Sequence, residues 1–161
     1  MTLTDPQHSL KPRPPKALRS STSHLLKRLG WMVKDRAVEA FESTGLSPAH
    51  YAVLALLDEE PRETQAQIAD ALAYDRSHLV GLLDELEERG LIERRRDPDD
   101  RRRHIVTLAP EGKRTLKELR SIVKRTDDEF FAALDARQRE TLHALLLELA
   151  CHHDAGYCER P

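Results

Sequence analysis

The sequence predicts a mainly α fold with a small β-hairpin, in which a helix-turn-helix runs straight into the hairpin. Three observations carry this. Apolar residues recur at helical spacing through segments that together reach from Leu25 to Leu149. Two of those segments are short and separated only by Ala73-Tyr74. Directly after them the apolar period shifts from 3.6 towards 2 on both sides of Asp97-Pro98-Asp99-Asp100. Composition agrees. The 161 residues are 39% hydrophobic, 34% charged and only 4% aromatic, as expected of helices with heavily charged outer faces in one domain, or one domain plus a tail.

The elements follow in order. Residues 1–16 hold four of the nine prolines and no periodicity, and read as a flexible arm. A first helix follows from about Ser23, with Leu25, Leu26, Leu29, Met32, Val33, Ala37, Ala40 and Phe41 at helical spacing. It stops near Ser43, with Gly45 just past its end. Ser47-Pro48 suits the start of a second helix, Ser47 as cap and Pro48 at the first helical position. Tyr51, Leu54 and Leu57 lie along one face, and Pro61 marks the next break. Thr64 and Gln67 fit a capping box for a third helix carrying Ile68, Ala69 and Leu72. Asp75 is the cap of a fourth, which buries Leu79, Leu82, Leu83 and Leu86 and ends at Gly90.

Two strands are expected over 91–96 and 103–108. On the second, His104, Val106 and Leu108 share one face, and Arg103, Ile105 and Thr107 the other. Pro110 opens a fifth helix with Leu116, Leu119, Val123, Phe130 and Phe131 apolar. Asp135 and Gln138 form a second capping-box pair, ahead of a sixth helix bearing Leu142, Leu145, Leu146 and Leu149.

The formal net charge of -2 gives no global reason to expect nucleic acid, so any such role rests on a local patch. One exists. Residues 94–104 read RRRDPDDRRRH, six arginines against three aspartates, on the arms and tip of the expected hairpin. Arginine forks suit phosphates and guanine edges, and a hairpin beside a recognition helix can lay them along the backbone and into the minor groove. This points to Arg94, Arg95, Arg96, Arg101, Arg102 and Arg103. The aspartates shape the turn, and Asp100 is placed to hold an arginine in one orientation. The first turns of the fourth helix face the major groove in such an arrangement, presenting Arg76, Ser77 and His78. Arg76 is the leading candidate for a base or phosphate contact. No acid–base pair or nucleophile motif points to catalysis, and no cofactor is implied.

Three segments carry a family resemblance. GLSPAHYAVLALL (45–57), IADALAYDRSHLVGLLDELEERGLI (68–92) and RRRDPDDRRRHIVTLAPEGK (94–113) together resemble the MarR family of winged-helix transcription regulators. The resemblance implies a winged helix-turn-helix with long N- and C-terminal dimerisation helices: an arm at 1–16, a DNA-binding lobe at 47–109, dimerisation helices at 17–46 and 110–151, and a tail at 152–161. It implies that Arg102 enters the minor groove with Asp100 bracing it. It also implies a homodimer on a pseudo-palindromic operator, and a repressor released by a small aromatic or anionic effector. For that effector His24, Arg28, Trp31, His50 and Tyr51 are the candidates. The chain departs from the family pattern at Ala73, where glycine is common. It departs again at Val80 and Gly81, where a polar residue and an arginine are common, and at Ala109 in place of threonine.

No apolar run approaches a membrane span, and the N-terminus lacks the apolar stretch of a secretory signal. A cytoplasmic protein is the expectation, with Cys151 and Cys158 as reduced thiols in a frayed or dimer-packed tail. The segment CHHDAGYC leaves an alternative, a redox- or metal-responsive regulator using the two cysteines with His152 and His153, although the spacing matches no recognised metal-ligand set.

Overall fold

The computed structural model describes residues 13–59, 63–98 and 103–158. Its contacts divide the chain into two units, Met1–Asp35 and Arg36–Pro161. The first holds the short helix α1 (Lys16–Arg19) and most of α2 (Thr22–Phe41). Leu25, Leu26, Leu29, Trp31 and Met32 along α2 are each 38% exposed or more. The second unit begins with the end of α2, where Arg36 lies 5.3 Å over the Phe130 ring. A 3-10 turn (Glu42–Thr44) then closes on Gly45, whose φ of 65° is left-handed, as the sequence implies for a residue past a helix end.

Helix α3 (Pro48–Glu59), helix α4 (Gln65–Leu72) and helix α5 (Arg76–Glu88) follow. The expected caps form. Thr64 and Gln67 make a reciprocal box, and the Asp75 carboxylate accepts from the Ser77 and His78 N–H groups. The α4–α5 turn passes through Ala73 at a φ of 50°, the left-handed region where relatives of this pattern often carry glycine.

Strand β1 (Glu63–Thr64), strand β2 (Ile92–Arg96) and strand β3 (His104–Leu108) form one antiparallel sheet in the order β1-β3-β2. Ile92 pairs with Leu108, Arg94 with Val106 and Arg96 with His104. The sequence reading has no β1, because two residues carry no periodicity. It also has no α1, which straddles the expected end of the arm.

Helix α6 (Pro110–Phe130) starts without a side-chain cap, because Ala109 offers none. Its first turn packs tightly on the strand β2 entry: a Cβ on Gly112 would lie 2.0 Å from the Leu91 carbonyl oxygen, so only glycine fits. Helix α7 (Ala136–His153) is capped by the Asp135–Gln138 box, as expected.

The core belongs to the second unit. Phe41, Val53, Leu54, Leu57, Ile68, Leu79, Leu83, Leu86, Ile92, Val106, Leu116 and Leu119 are all 2% exposed or less. Both helices of the helix-turn-helix, the hairpin base and the first half of α6 therefore share one apolar centre, and burying it positions α5 beside the hairpin. Helix α7 contributes no buried residue, and Leu145, Leu146, Leu147 and Leu149 are exposed on it.

One expectation is corrected at the end of α7. Cys151 and Cys158 are joined in a disulfide and are not free thiols. The helix stops at His153, and the Asp154 carboxylate accepts from the Gly156 N–H at 2.9 Å, turning the chain into a 3-10 turn (Ala155–Tyr157). That reversal brings the two Cα atoms to 5.0 Å, within disulfide reach. The expectation rested on compartment alone, and a local turn decides the geometry.

Candidate nucleic-acid interface

Helix α5 presents its N-terminal turn outward. Periodicity sends Leu79, Leu82, Leu83 and Leu86 inward, so Arg76, Ser77 and His78 stand exposed ahead of them. Arg76 makes no ion pair among the described residues. The Ser77 hydroxyl is turned back onto the Asp75 carboxylate. The His78 ring meets Tyr74 edge-on at 5.5 Å, which steadies it against the turn between the helices. Burial pushes the Tyr74 hydroxyl pKa up.

Beside this turn lies a cleft of about 520 Å³ lined by Thr64, Gln65, Ala66, Gln67, Arg103 and His104. A second, of about 250 Å³, shares Gln65 and Ala66 and is lined also by Arg76, Leu79 and Val80. The N-terminus of α4 thus sits between the first turn of α5 and the inner end of β3.

On the hairpin, Arg95, Arg96 and Arg103 are exposed, and Arg95 pairs with Glu93 at 2.6 Å. Asp100, Arg101 and Arg102 lie outside the described residues. Arg94 differs from its neighbours. Alternation along β2 puts it on the same face as Ile92; its side chain is 20% exposed, and its guanidinium is gripped by Glu87 and Asp84 of α5. The hydrogen bond from Arg94 is the main reason that the Glu87 carboxyl is held below its ordinary pKa.

The effector candidates fall in both units. His24, Arg28 and Trp31 belong to the first, with Arg28 and Trp31 exposed and His24 half-buried. In the second, Tyr51 is half-buried, edge-on to Phe41 at 6.1 Å. His50 is 5% exposed, with its ring hydrogen-bonded at Nδ1 and not at Nε2. Its Nδ1 accepts from the Ser47 N–H at 3.0 Å, while the Ser47 hydroxyl accepts from the His50 N–H at 3.3 Å. This is a capping box with histidine in the place of Gln or Glu. Because Nδ1 accepts, Nε2 carries the proton. It lies 3.2 Å from a Glu85 oxygen but is not aligned as a hydrogen bond. Sequence reasoning missed both buried roles, although the i, i+3 spacing from Ser47 to His50 was available to signal one of them. Among the described residues no group of three or more His, Cys, Asp or Glu is placed to hold a metal ion, and no helix is long and apolar enough to cross a membrane.

A helix-turn-helix whose second helix offers an exposed arginine, flanked by an arginine-lined hairpin, defines a winged-helix DNA-binding regulator. Residues 44–103 match the family model described as MarR family. The chain is 37% identical over 105 residues to a protein described as a transcriptional regulatory protein for the hcr operon of Thauera aromatica, a match spanning 65% of this chain and 63% of that one. A MarR-family regulator from Rhodococcus sp. RHA1 superposes with a TM-score of 0.76 at 32% identity, over 84% of this chain and 96% of the other. The repressor CouR bound to a 23-mer DNA duplex gives 0.79 at 33% identity, over 87% and 99%. CouR from Rhodococcus jostii RHA1 bound to p-coumaroyl-CoA gives 0.71 at 33% identity, over 84% and 96%. The chain belongs to the MarR family of transcription regulators.

Proposed function

We propose that the chain is a homodimeric, sequence-specific repressor that binds a pseudo-palindromic operator and is released by a small aromatic or anionic effector. The observation that carries the reading is the exposed Arg76–His78 turn set beside the arginine-bearing wing. The turn enters the major groove and reads base edges. Arg95, Arg96, Arg101, Arg102 and Arg103 follow the backbone and the minor groove, with Asp100 aiming Arg102. The exposed leucines of α2 and α7 supply the dimer surface, since an 18-residue helix without a buried side chain gains little from packing in one chain.

The effector reading is supported by the occupancy of CouR by an aromatic CoA thioester, with His24, Arg28 and Trp31 in the first unit, and Tyr51 in the second, each a separate candidate contact. His50 drops out of that set, because its ring is buried and its Nδ1 is committed to the α3 cap. The disulfide favours a second reading, in which an oxidised Cys151–Cys158 pair alters operator affinity. A dithiol reductant converts the pair to two thiols and is itself oxidised to a disulfide.

Both readings are tested by anisotropy with DNA from around the chain's own gene. The expected result is nanomolar binding that falls steeply with salt, with at least a thousand-fold preference over random duplex. A panel of aromatic acids and their thioesters should include a compound that releases the DNA. No preference over random DNA at moderate salt contradicts the operator reading. Identical isotherms with and without a dithiol contradict the redox reading.

A further inference from the structure

We propose that Arg94 is a positioning residue that locks the wing to the recognition helix, through Glu87 and Asp84, and makes no contact with DNA. The inference rests on the DNA-binding reading above and assigns one of its six arginines a different task.

The sequence forces the placement. Ile92 must face the core, so alternation turns Arg94 the same way, opposite the fully buried Val106 on β3. An unpaired guanidinium there would be costly, and α5 supplies its partners. Asp84 and Glu87 are three apart and therefore neighbours on one helix face. Glu87 grips the strand twice: one carboxylate oxygen accepts from the Arg94 backbone N–H at 3.3 Å and the other from Nε at 2.8 Å. Arg94 Nη2 reaches Asp84 at 2.6 Å as well as Glu87. One carboxylate thus holds both the strand backbone and the side chain, and a planar fork allows little rotation about that contact.

Two consequences follow. The donors of Arg94 are turned towards α5, and one cation between two carboxylates leaves a local charge that repels phosphate. The angle between α5 and β2 is also fixed from within the protein. That angle sets whether the wing reaches its groove while α5 sits in the major groove, so the clamp acts on affinity without touching DNA.

The test uses the full chain and a duplex selected from a random pool by the wild-type protein. Glu87→Gln is the decisive variant. A plain charge argument says that removing an acid near DNA strengthens binding, whereas the clamp predicts weakening by about ten-fold. Arg94→Gln should weaken binding equally, the double variant should add no further loss, and Arg94→Lys should fail to rescue. In both single variants the dependence of log K on log salt should keep the wild-type slope, while Arg95→Gln should lower it by about 0.9 if that residue meets a phosphate. Without DNA, amide exchange in β2 and β3 should quicken at least several-fold in Glu87→Gln. Tighter binding by Glu87→Gln, with a slope reduced by about one in Arg94→Gln, overturns the proposal in favour of a direct phosphate contact. Unchanged exchange overturns the clamp whether or not the wild-type chain selects a duplex. A wild-type chain that selects none, with faster exchange in the variant, refutes the DNA-binding reading and leaves the clamp standing as a structural lock.

Discussion

At the scale of single residues, the side chains that most resist a sequence reading are those with two plausible environments. An arginine in a triplet looks solvated, and Arg94 departs from its neighbours because alternation from Ile92 turns it inward where Glu87 and Asp84 meet it, whereas Arg96 on the same face is exposed. His50 looks like a ligand contact until its ring is seen closing the α3 cap. That arrangement carries a pH prediction. Burial above all, then the charges of Arg89 and His78, hold the His50 pKa below its ordinary 6.5, against the raising effect of Glu85. The native state therefore keeps the ring neutral, and a second proton on Nδ1 would remove the acceptor of the Ser47 N–H. Stability from this group is complete above the unfolded-state pKa and is lost as pH falls through 6.5 towards the depressed native value. Thermal melts should show a lower Tm at pH 5.5 than at pH 7.5, with a smaller drop in His50→Gln, which can keep the cap without titrating. An equal drop in the variant would remove His50 from this role.

At the scale of elements, the sequence is most legible where periodicity and caps coincide. Helices α3 to α7 start and stop within a residue or two of expectation because Pro48, Thr64, Asp75, Pro110 and Asp135 each satisfy or remove free backbone donors at a helix start. The wing strands follow from alternation for the same reason. Strand β1 is invisible because it exists only through its pairing with Val106 and Ile105. The recognition helix carries one local inconsistency, Gly81 in its interior. Open space surrounds the position in the free protein, and nothing lies within 4 Å of where an alanine methyl would sit. Gly81→Ala should therefore raise stability by about 1 kcal/mol, read as a higher urea midpoint with an unchanged m-value. A loss of stability would mean that the helix backbone is approached more closely than the free structure allows.

At the scale of the whole molecule, charge and apolar surface are distributed unevenly, and that distribution is the functional argument. A chain of net charge -2 places six of its 19 arginines within residues 94–103, while α2 and α7 keep large apolar side chains exposed. Family and fold were legible because three ordered segments specify the lobe. The Cys151–Cys158 bridge was not, since it depends on a turn made by Asp154, and neither was the unit boundary after Asp35. The exposed leucines predict a dimer at micromolar concentration by sedimentation equilibrium, and Leu145→Glu with Leu149→Glu should yield monomers that bind the operator at least a hundred-fold more weakly. Dimeric mutants with wild-type affinity would place the interface elsewhere. The central claim, that two recognition helices read one operator, is met most directly by a hydroxyl-radical footprint with wild-type protein and Arg76→Ala. The account predicts two protected half-sites centred about 10 base pairs apart in the wild type, both lost together in the variant. A single protected patch, or protection unchanged by Arg76→Ala, would contradict it.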